Sequence, residues 1–432
     1  MFNRTKRFPL VAISCITLLL LPAHIAQGGE ATLSLAEAIT QALTNSPELA
    51  VERRQIDVAR GELTKARVYP LNPVLEVNPA YGSGKLRDVD KSVGTNAFDV
   101  AVSQTLQIKG QWGLRIERAK ADLDRTGWTV GDAERRIRAE VSRAFTDVLI
   151  DQERVKFFGE IVALNQELLN ISQQLFEAGA VPRLDVLRAE VELRRALNDR
   201  TTEERNLVAA RKELNLLLGQ PTDFVPQPVG PLLYALGELN LERLKRTGME
   251  SRPDLKAMRA GLAAVEKELA IARAERFFPE VAVSLGYSND LAIDGREQRV
   301  LFGVAIPLPL FNRRQGEIET TLGERSRQTA ALSFVAARID KEVAQAYERF
   351  VASQRIVEEF VKRIVPQQEE NFRLLREGYE AGQFRLTDVL LGQREFIEGR
   401  LRYLDAAAQY NIFAVELERA IGAPLLETGP TP

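Results

Sequence analysis

Hydrophobic positions recur along this chain with two different periods, and the two follow one another in a fixed order. Within about 110–177, Val141, Val148, Val155, Val162, Leu169 and Phe176 repeat every seven residues, as do Val343, Phe350, Val357 and Ile364 within about 312–380. A sustained heptad predicts long helices packed as a coiled coil rather than around a globular core; the alternative is one long amphipathic helix in a bundle. Elsewhere the period is two. Phe98, Val100, Val102, Leu106 and Ile108 alternate with Asp99, Ala101, Ser103, Thr105 and Gln107. Val281, Val283, Leu285 and Tyr287 alternate with Ala282, Ser284, Gly286 and Ser288, and Val300, Phe302, Val304, Ile306, Leu308 and Leu310 with mostly small residues. Leu75, Val77 and Tyr81 mark a weaker first strand.

This order is written twice. Residues 47–81 lie on 253–287 without a gap and share ten of 35 identities, among them Pro47/Pro253, Leu49/Leu255, Arg53/Arg259, Pro73/Pro279 and Tyr81/Tyr287. Chance at ordinary residue usage gives about two. Glu177-Ala178-Gly179 with Asp185-Val186-Leu187 returns as Glu380-Ala381-Gly382 with Asp388-Val389-Leu390, the offset moving only from 206 to 203. The chain is therefore an internal duplication. The first unit, 29–219, has helices predicted at 46–72, 110–177 and 183–219 and strands at about 74–82 and 98–108. The second, 251–422, has helices at 251–278, 312–380 and 384–421 and strands at about 280–288 and 300–310. Pro73 and Pro279 stop the first helix of each unit, and Gly219 and Gly422 end the last. Residues 220–250, rich in proline at the start, form a linker with a short helix, and 423–432 a C-terminal tail.

Lengths suggest how a unit packs. A helix of about 68 residues spans roughly 100 Å, and the two shorter helices of a unit together match it, so they stack end to end alongside it. Runs of ~10 residues with one apolar and one polar or small face suit a tilted strand crossing a bilayer. A half-buried sheet packed on helices carries the same alternation. Two features favour the membrane: the helices direct their apolar seams at each other, and the other strand face is small and polar, as a water-filled lumen requires. Tyr81, Tyr287, Phe98 and Phe302 sit near the run ends, where an aromatic girdle would lie. Four strands cannot close a barrel, and open edges in lipid are costly, so several chains must assemble one; three would give twelve strands.

Composition narrows the chemistry. The 432 residues carry 58 Lys+Arg against 60 Asp+Glu, without the basic excess that a nucleic-acid binder needs. The chain's one Cys and one His, Cys15 and His24, fall within a stretch that reads as a secretory signal, 1–28. Arg4, Lys6 and Arg7 precede an apolar run from Leu10 to Leu21, and Ala26-Gln27-Gly28 offers a cleavage site. Cys15 lies ahead of most of that run, which argues against a lipoprotein. Cleavage after Gly28 leaves 404 residues with 55 basic and 60 acidic side chains and neither Cys nor His. That excludes disulfides, Cys or His nucleophiles, imidazole acid–base work and zinc sites of the usual kind, and no cofactor or enzymatic activity is expected. No later run reaches 18 apolar residues, so a membrane would be crossed as a β-barrel if at all.

The signal, the duplicated helix–hairpin–long helix–turn–helix unit and the Glu-Ala-Gly tips followed by Asp-Val-Leu resemble the TolC family of outer-membrane efflux ducts over about 33–422. Leu33-Ser34-Leu35-Ala36-Glu37-Ala38 and Asn45-Ser46-Pro47-Glu48-Leu49 also look like that family. The resemblance implies an α+β membrane protein: a homotrimeric twelve-stranded β-barrel in outer-membrane lipid of a Gram-negative bacterium, continued by a long periplasmic α-helical coiled-coil barrel. It implies export from periplasm or pump to the exterior, together with a periplasmic adaptor (membrane fusion) protein and an inner-membrane pump of the RND or another type. It assigns a periplasmic tip gate. Asp185 and Tyr379 match positions that bond to each other when related ducts are closed, and Asp388 matches the first of two aspartates ringing the bore. The second ring position is Leu391, and Phe384 stands where the family has an arginine lock. Asp185 and Asp388 equally suit first-turn capping, and Tyr379 simple tip packing. Gly179 and Gly382 make the tip turns, and Glu177, Ala180, Val181, Ala381 and Gln383 are the implied adaptor contacts.

The stretch Pro70-Leu71-Asn72-Pro73-Val74-Leu75-Glu76 looks like the heavy-metal subgroup, whose ducts serve cobalt, zinc, cadmium or copper pumps, although Asn-Pro also simply stops a helix. Drug, solvent or peptide export stays open. The competing function is a periplasmic coiled-coil adaptor or scaffold without a barrel, which would share the long hairpins but not the two strand pairs.

Overall fold

The computed structural model describes residues 32–85, 92–221, 223–233, 239–277, 280–292 and 295–425. The predicted signal 1–28 and most of the predicted tail 423–432 lie outside the described residues, as does Pro279. Strand β1 (Thr32–Leu33) leads into helix α1 (Leu35–Asn45), which the sequence reading did not include. Its start is a reciprocal cap: Ser34 Oγ accepts from Glu37 N–H while the Glu37 carboxylate accepts from Ser34 N–H at 2.9 Å. Helix α2 (Pro47–Arg67) begins with proline at its first position, where the missing N–H costs nothing.

The expected helix 46–72 therefore ends five residues early, at Arg67 rather than against Pro73. The intervening Tyr69 closes the base of the hairpin, its hydroxyl donating to Thr105 O and accepting from Gln107 N–H at 2.7 Å. That hairpin is β2 (Val74–Lys85) and β3 (Ser92–Gln107). Helix α3 (Gln111–Glu177) follows without a break, then α4 (Arg183–Leu218), which stops at Gly219 in the left-handed region. A short strand β4 (Gln227–Pro228) pairs in parallel with β1 and ties the linker to the start of the chain.

The second unit opens with α5 (Leu241–Ser251) and α6 (Pro253–Ala274), so the expected helix 251–278 is shorter at both ends. Strands β5 (Glu280–Ala292) and β6 (Gly295–Ala305) come next. The last strand begins five residues before the expected 300–310 and leaves Ile306, Leu308 and Leu310 beyond its end. The expected single helix 312–380 is α7 (Gln315–Glu359), a π turn (Phe360–Ile364) and α8 (Val365–Glu380). Helix α9 (Leu386–Ile421) completes the unit.

One antiparallel sheet, in the order β2-β3-β5-β6, joins the two units through β3 and β5. Its register puts Leu75, Val77, Tyr81, Phe98, Val100, Val102, Val283, Leu285, Tyr287, Val300, Phe302 and Val304 on one face. Most of that face is bare, with Tyr81 82% and Phe302 83% exposed. The helices pack instead on each other: α3 against α4 and α6, α7 against α6 and α9. Each unit has a core of its own, around Val141, Phe145, Val148 and Leu214 and around Ile339, Val343, Phe350 and Leu417, and smaller clusters toward the tips draw on both units.

The seam is not a strict heptad. Val141 and Val148 are fully covered, but toward the tip Ile161, Leu168 and Ser172 are buried beside Leu169, Val162 is half-buried and Phe176 is 42% exposed. An undistorted helix drifts ~20° per heptad, which over five heptads would carry the stripe about one residue later. Here it moves earlier, as the packing partners change from Leu214 of the first unit to Phe372, Leu386 and Phe396 of the second. In the second unit Val343, Phe350 and Val357 are buried, and then Val365, Phe372 and Tyr379. The step from 357 to 365 is eight residues, because the wider π turn uses one more residue to come round to the same face. The heptad reading was thus right for each stretch and wrong about its continuity.

Candidate functional site

The tips of the two helical hairpins carry most of the residues singled out in the sequence. Both turns have the same construction. At the first, Gly179 N–H donates to Phe176 O and Ala180 N–H to Leu175 O at 2.8 Å; at the second, Gly382 N–H donates to Tyr379 O and Gln383 N–H to Gly378 O at 2.7 Å. This is a Schellman closure, and it requires positive φ at the glycine: 73° at Gly179 and 72° at Gly382. Glu177, Ala180, Ala381 and Gln383 project outward and exposed around these turns, with Val181 half-buried.

The three residues expected to form a gate sit differently from one another. Tyr379 is 1% exposed, in a small core with Leu168, Leu169, Phe372 and Leu386. Its hydroxyl bonds to Ser172 Oγ at 2.9 Å, across from α8 to α3, and not to Asp185. The expected Asp185–Tyr379 bond is therefore corrected to a Ser172–Tyr379 bond. Burial pushes the Tyr379 phenol above its usual range, the Ser172 bond opposes this, and the charge of nearby Asp185 adds to it. Asp185 stands in the first turn of α4, mostly covered, with Arg188 at 3.8 Å. Asp388 is exposed in the first turn of α9, and its carboxylate accepts from Arg385 N–H at 3.1 Å. Both aspartates occupy helix N-terminal positions, where the dipole favours an acid.

Ser172 escaped the sequence reading. Its signal was there: a hydroxyl at a seam position, three residues after Leu169, needs a polar partner on the facing helix. Phe384 fills the place of the missing arginine by lying over Gly378, where a Cβ would come within 2.2 Å of its ring. Leu391 is 58% exposed, and with Leu184, Leu187, Val191 and Leu390 it lines a groove of about 640 Å³ between α4 and α9, edged by Arg188 and Arg394. The tip thus presents an apolar groove around Leu391, the position that the sequence already showed to lack a second ring aspartate.

Further up the first hairpin, burial pushes the Asp151 carboxyl up to about 6, against the pull of Arg154 and with help from Glu203 and Asp147. Asp147 is raised as well, by burial and then by Glu213. Among the described residues no group of three His, Cys, Asp or Glu side chains is arranged to hold a metal ion, and no helix is long and apolar enough to cross a membrane.

Comparison with known proteins agrees with this architecture. The chain is 27% identical over 392 residues to the cobalt-zinc-cadmium resistance protein CzcC of Cupriavidus metallidurans, covering 90% of both. It is 24% identical to the outer membrane protein OprJ of Pseudomonas aeruginosa, over 90% of this chain and 84% of that one. The fold superposes on CusC with a TM-score of 0.70 at 17% identity, covering 90% of this chain and 92% of that one. VceC of Vibrio cholerae gives a TM-score of 0.70 at 17% identity, over 90% and 96%. The outer membrane efflux protein family matches residues 38–220 and 247–423. A match of that extent, on both repeats and with the fold in accord, places this chain in the outer membrane efflux protein family, as an outer-membrane channel with a periplasmic helical extension.

Proposed function

We propose that the channel is a homotrimer whose three sheets close into a single twelve-stranded barrel, continued by a helical tunnel in the periplasm. The observation that carries this is the sheet itself. It is apolar on one face and, among the described residues, has no neighbour along β2 or β6, and unpaired backbone in lipid costs several kcal/mol per group. The duplication supplies the missing neighbour. Between the repeats β3 pairs with β5, Val100 lying opposite Tyr287. The equivalent join between chains sets β6 against β2 of the next copy, with Val304 opposite its Tyr81. The helices support the same arrangement. Helix α6 lies between α3 and α7, whereas α2, its counterpart, packs on α3 and leaves Val51 and Val58 exposed. The Ala264 position that matches Val58 is buried. A Tyr81→Cys/Val304→Cys variant should give disulfide-linked trimers in detergent on oxidation. Linked dimers only, or monomers that are monodisperse without detergent, would reject the trimer.

The tip is the periplasmic gate and the seat of the adaptor, which docks against Glu177, Ala180, Val181, Ala381 and Gln383; an inner-membrane pump of the RND or another type supplies the energy. Asp388, at the head of α9, controls the bore together with Asp185, and Tyr379 braces the hairpin behind them through Ser172. Asp388→Asn should raise conductance in planar bilayers and weaken block by trivalent cations; unchanged values would leave it a helix cap. The cargo we favour is metal cations, a reading supported by the likeness to CzcC and by the Asn72-Pro73 stretch before β2. Growth of a deletion strain across cobalt, zinc, cadmium, copper and a drug panel tests it, and sensitivity to drugs alone would overturn it.

A further inference from the structure

The register of the sheet determines which side chains would line the barrel, and their charges are lopsided. With the apolar face turned to lipid, the opposite face forms the bore. Its rows, read from the helical end, are Gln107 beside Glu280; Thr105, Ala282 and Ala305; Val74, Ser103, Ser284 and Gly303; Glu76, Ala101, Gly286 and Leu301; Asn78, Asp99, Ser288 and Arg299; and Asp290 beside Glu297. Among these positions stand five carboxylates and one guanidinium. The guanidinium of Arg299 is already held by Glu297 at 2.6 Å. Among the described residues no ion pair neutralises Glu76, Asp99, Glu280 or Asp290. The outward face over the same rows carries no charge.

We infer that the inner wall of the barrel is itself a cation-selective element, set by Glu76, Asp99, Glu280 and Asp290, independently of any selectivity at the periplasmic tip. The inference rests on the barrel reading above. Its physics is direct. Ten residues of strand separate Glu280 from Asp290, about 33 Å of wall, so the carboxylates are distributed along the height of the barrel rather than gathered in one cluster. Each stands on a low-dielectric sheet facing water, a setting that focuses the field into the bore and raises the local concentration of cations. Rings of carboxylates repeated by symmetry select cations in this way, whereas a merely hydrated polar wall does not. The neighbours in the Glu76 row are Ala101, Gly286 and Leu301, too small or apolar to screen it.

The test uses the full-length protein in planar bilayers under a KCl gradient, reading the permeability ratio of K⁺ to Cl⁻. The wild type should favour K⁺, and Glu76→Gln/Asp99→Asn/Glu280→Gln should lower the ratio by about twofold or more. The preference should also shrink as salt rises and the Debye length falls from ~10 Å at 0.1 M toward ~3 Å at 1 M. If the triple variant does not insert, Ala101→Lys, which places a cation on the same wall, should lower the ratio in the same direction. A wild-type ratio at or below one, or a ratio that these variants leave unchanged, overturns the inference while the pore stands. Absence of any unitary current from protein that fails the cysteine cross-link would instead overturn the barrel on which it rests.

Discussion

The two hairpins of this chain share a plan and differ in the continuity of their long helices. Their tips close with the same pair of backbone bonds, and their long helices begin alike: Lys109 N–H donates to the Gln111 side chain at 2.8 Å, and Arg313 N–H to the Gln315 side chain at 2.7 Å. Both starts need a left-handed residue, Gly110 at φ 72° in one and Arg314 at φ 57° in the other. Yet α3 runs 67 residues unbroken, while its counterpart is interrupted by the π turn and by Pro366. Below that point the helices also approach differently. Ala189 and Ala196 of α4 are buried against α3, and the matching positions on α9 are Gly392 and Gly399. A Cβ at Gly392 would fall 2.3 Å from Leu375 Cδ1. Duplication therefore preserved the features that backbone hydrogen bonding dictates, and let side-chain volume set how closely each pair of helices packs.

Transplanting the interruption is the strongest way to break this comparison. Ala163, the first-repeat counterpart of Pro366, is exposed in the last third of α3. Ala163→Pro should cost about 3 kcal/mol through the backbone alone, since proline removes a hydrogen bond and clashes with the preceding turn. A thermal melt of the detergent-solubilised protein would show it, and a loss below ~1 kcal/mol would mean that α3 also tolerates a wider turn here.

Exchanging the small residues comes next. Gly378→Ala/Gly392→Ala should destabilise by about 2 kcal/mol, because overpacking against Phe384 and Leu375 outweighs the gain in helix propensity. Ala189→Gly on the first hairpin should cost only about 1 kcal/mol, the propensity difference. Hydrogen exchange at the two tips reads both, and a stabilised Gly→Ala variant would show that the second hairpin has slack to give.

Removing the Tyr379 hydroxyl separates its two candidate partners. Tyr379→Phe should cost about 1–2 kcal/mol by leaving Ser172 unpaired in a buried site. Adding Ser172→Ala should restore most of it, whereas Asp185→Asn should not, and a double-mutant cycle measures this coupling.

The smallest effect concerns Asp151, which holds the place in the buried stripe that Ser353 holds in the second repeat. Its folded pKa of about 6 lies above the ordinary 3.8, so the folded state binds the proton more readily and stability falls as pH rises from about 4 through 6. Asp151→Asn should therefore stabilise by about 1 kcal/mol at pH 8, with the gain vanishing toward pH 4, in melts compared at the two values.

Much of this molecule was legible before any coordinates. Pro47 and Pro253, Gly219 and Gly422, and the two Gly tips place helix ends within a few residues, since those residues restrict or free φ locally. The alternation in β3 and β5 fixes their faces for the same local reason. Helix α1 was missed because its apolar face is only a few residues long, and the end of α2 because Tyr69 needs its hydroxyl at the sheet, which no window around residue 69 reveals. At the tip the sequence singled out Tyr379 but not the Ser172 that its hydroxyl bonds.

The sequence by itself determined what depends on neighbours along the chain: the duplication, the turns, the caps and the strand faces. Only the tertiary structure decided what depends on neighbours across it. Ser172 rather than Asp185 meets Tyr379, the buried stripe changes phase at the π turn, and α6 is enclosed where α2 is bare. The physical reason is that hydrogen-bond spacing and allowed φ are properties of a few consecutive residues. Which surfaces meet, by contrast, follows from small rotations accumulated along helices roughly 100 Å long.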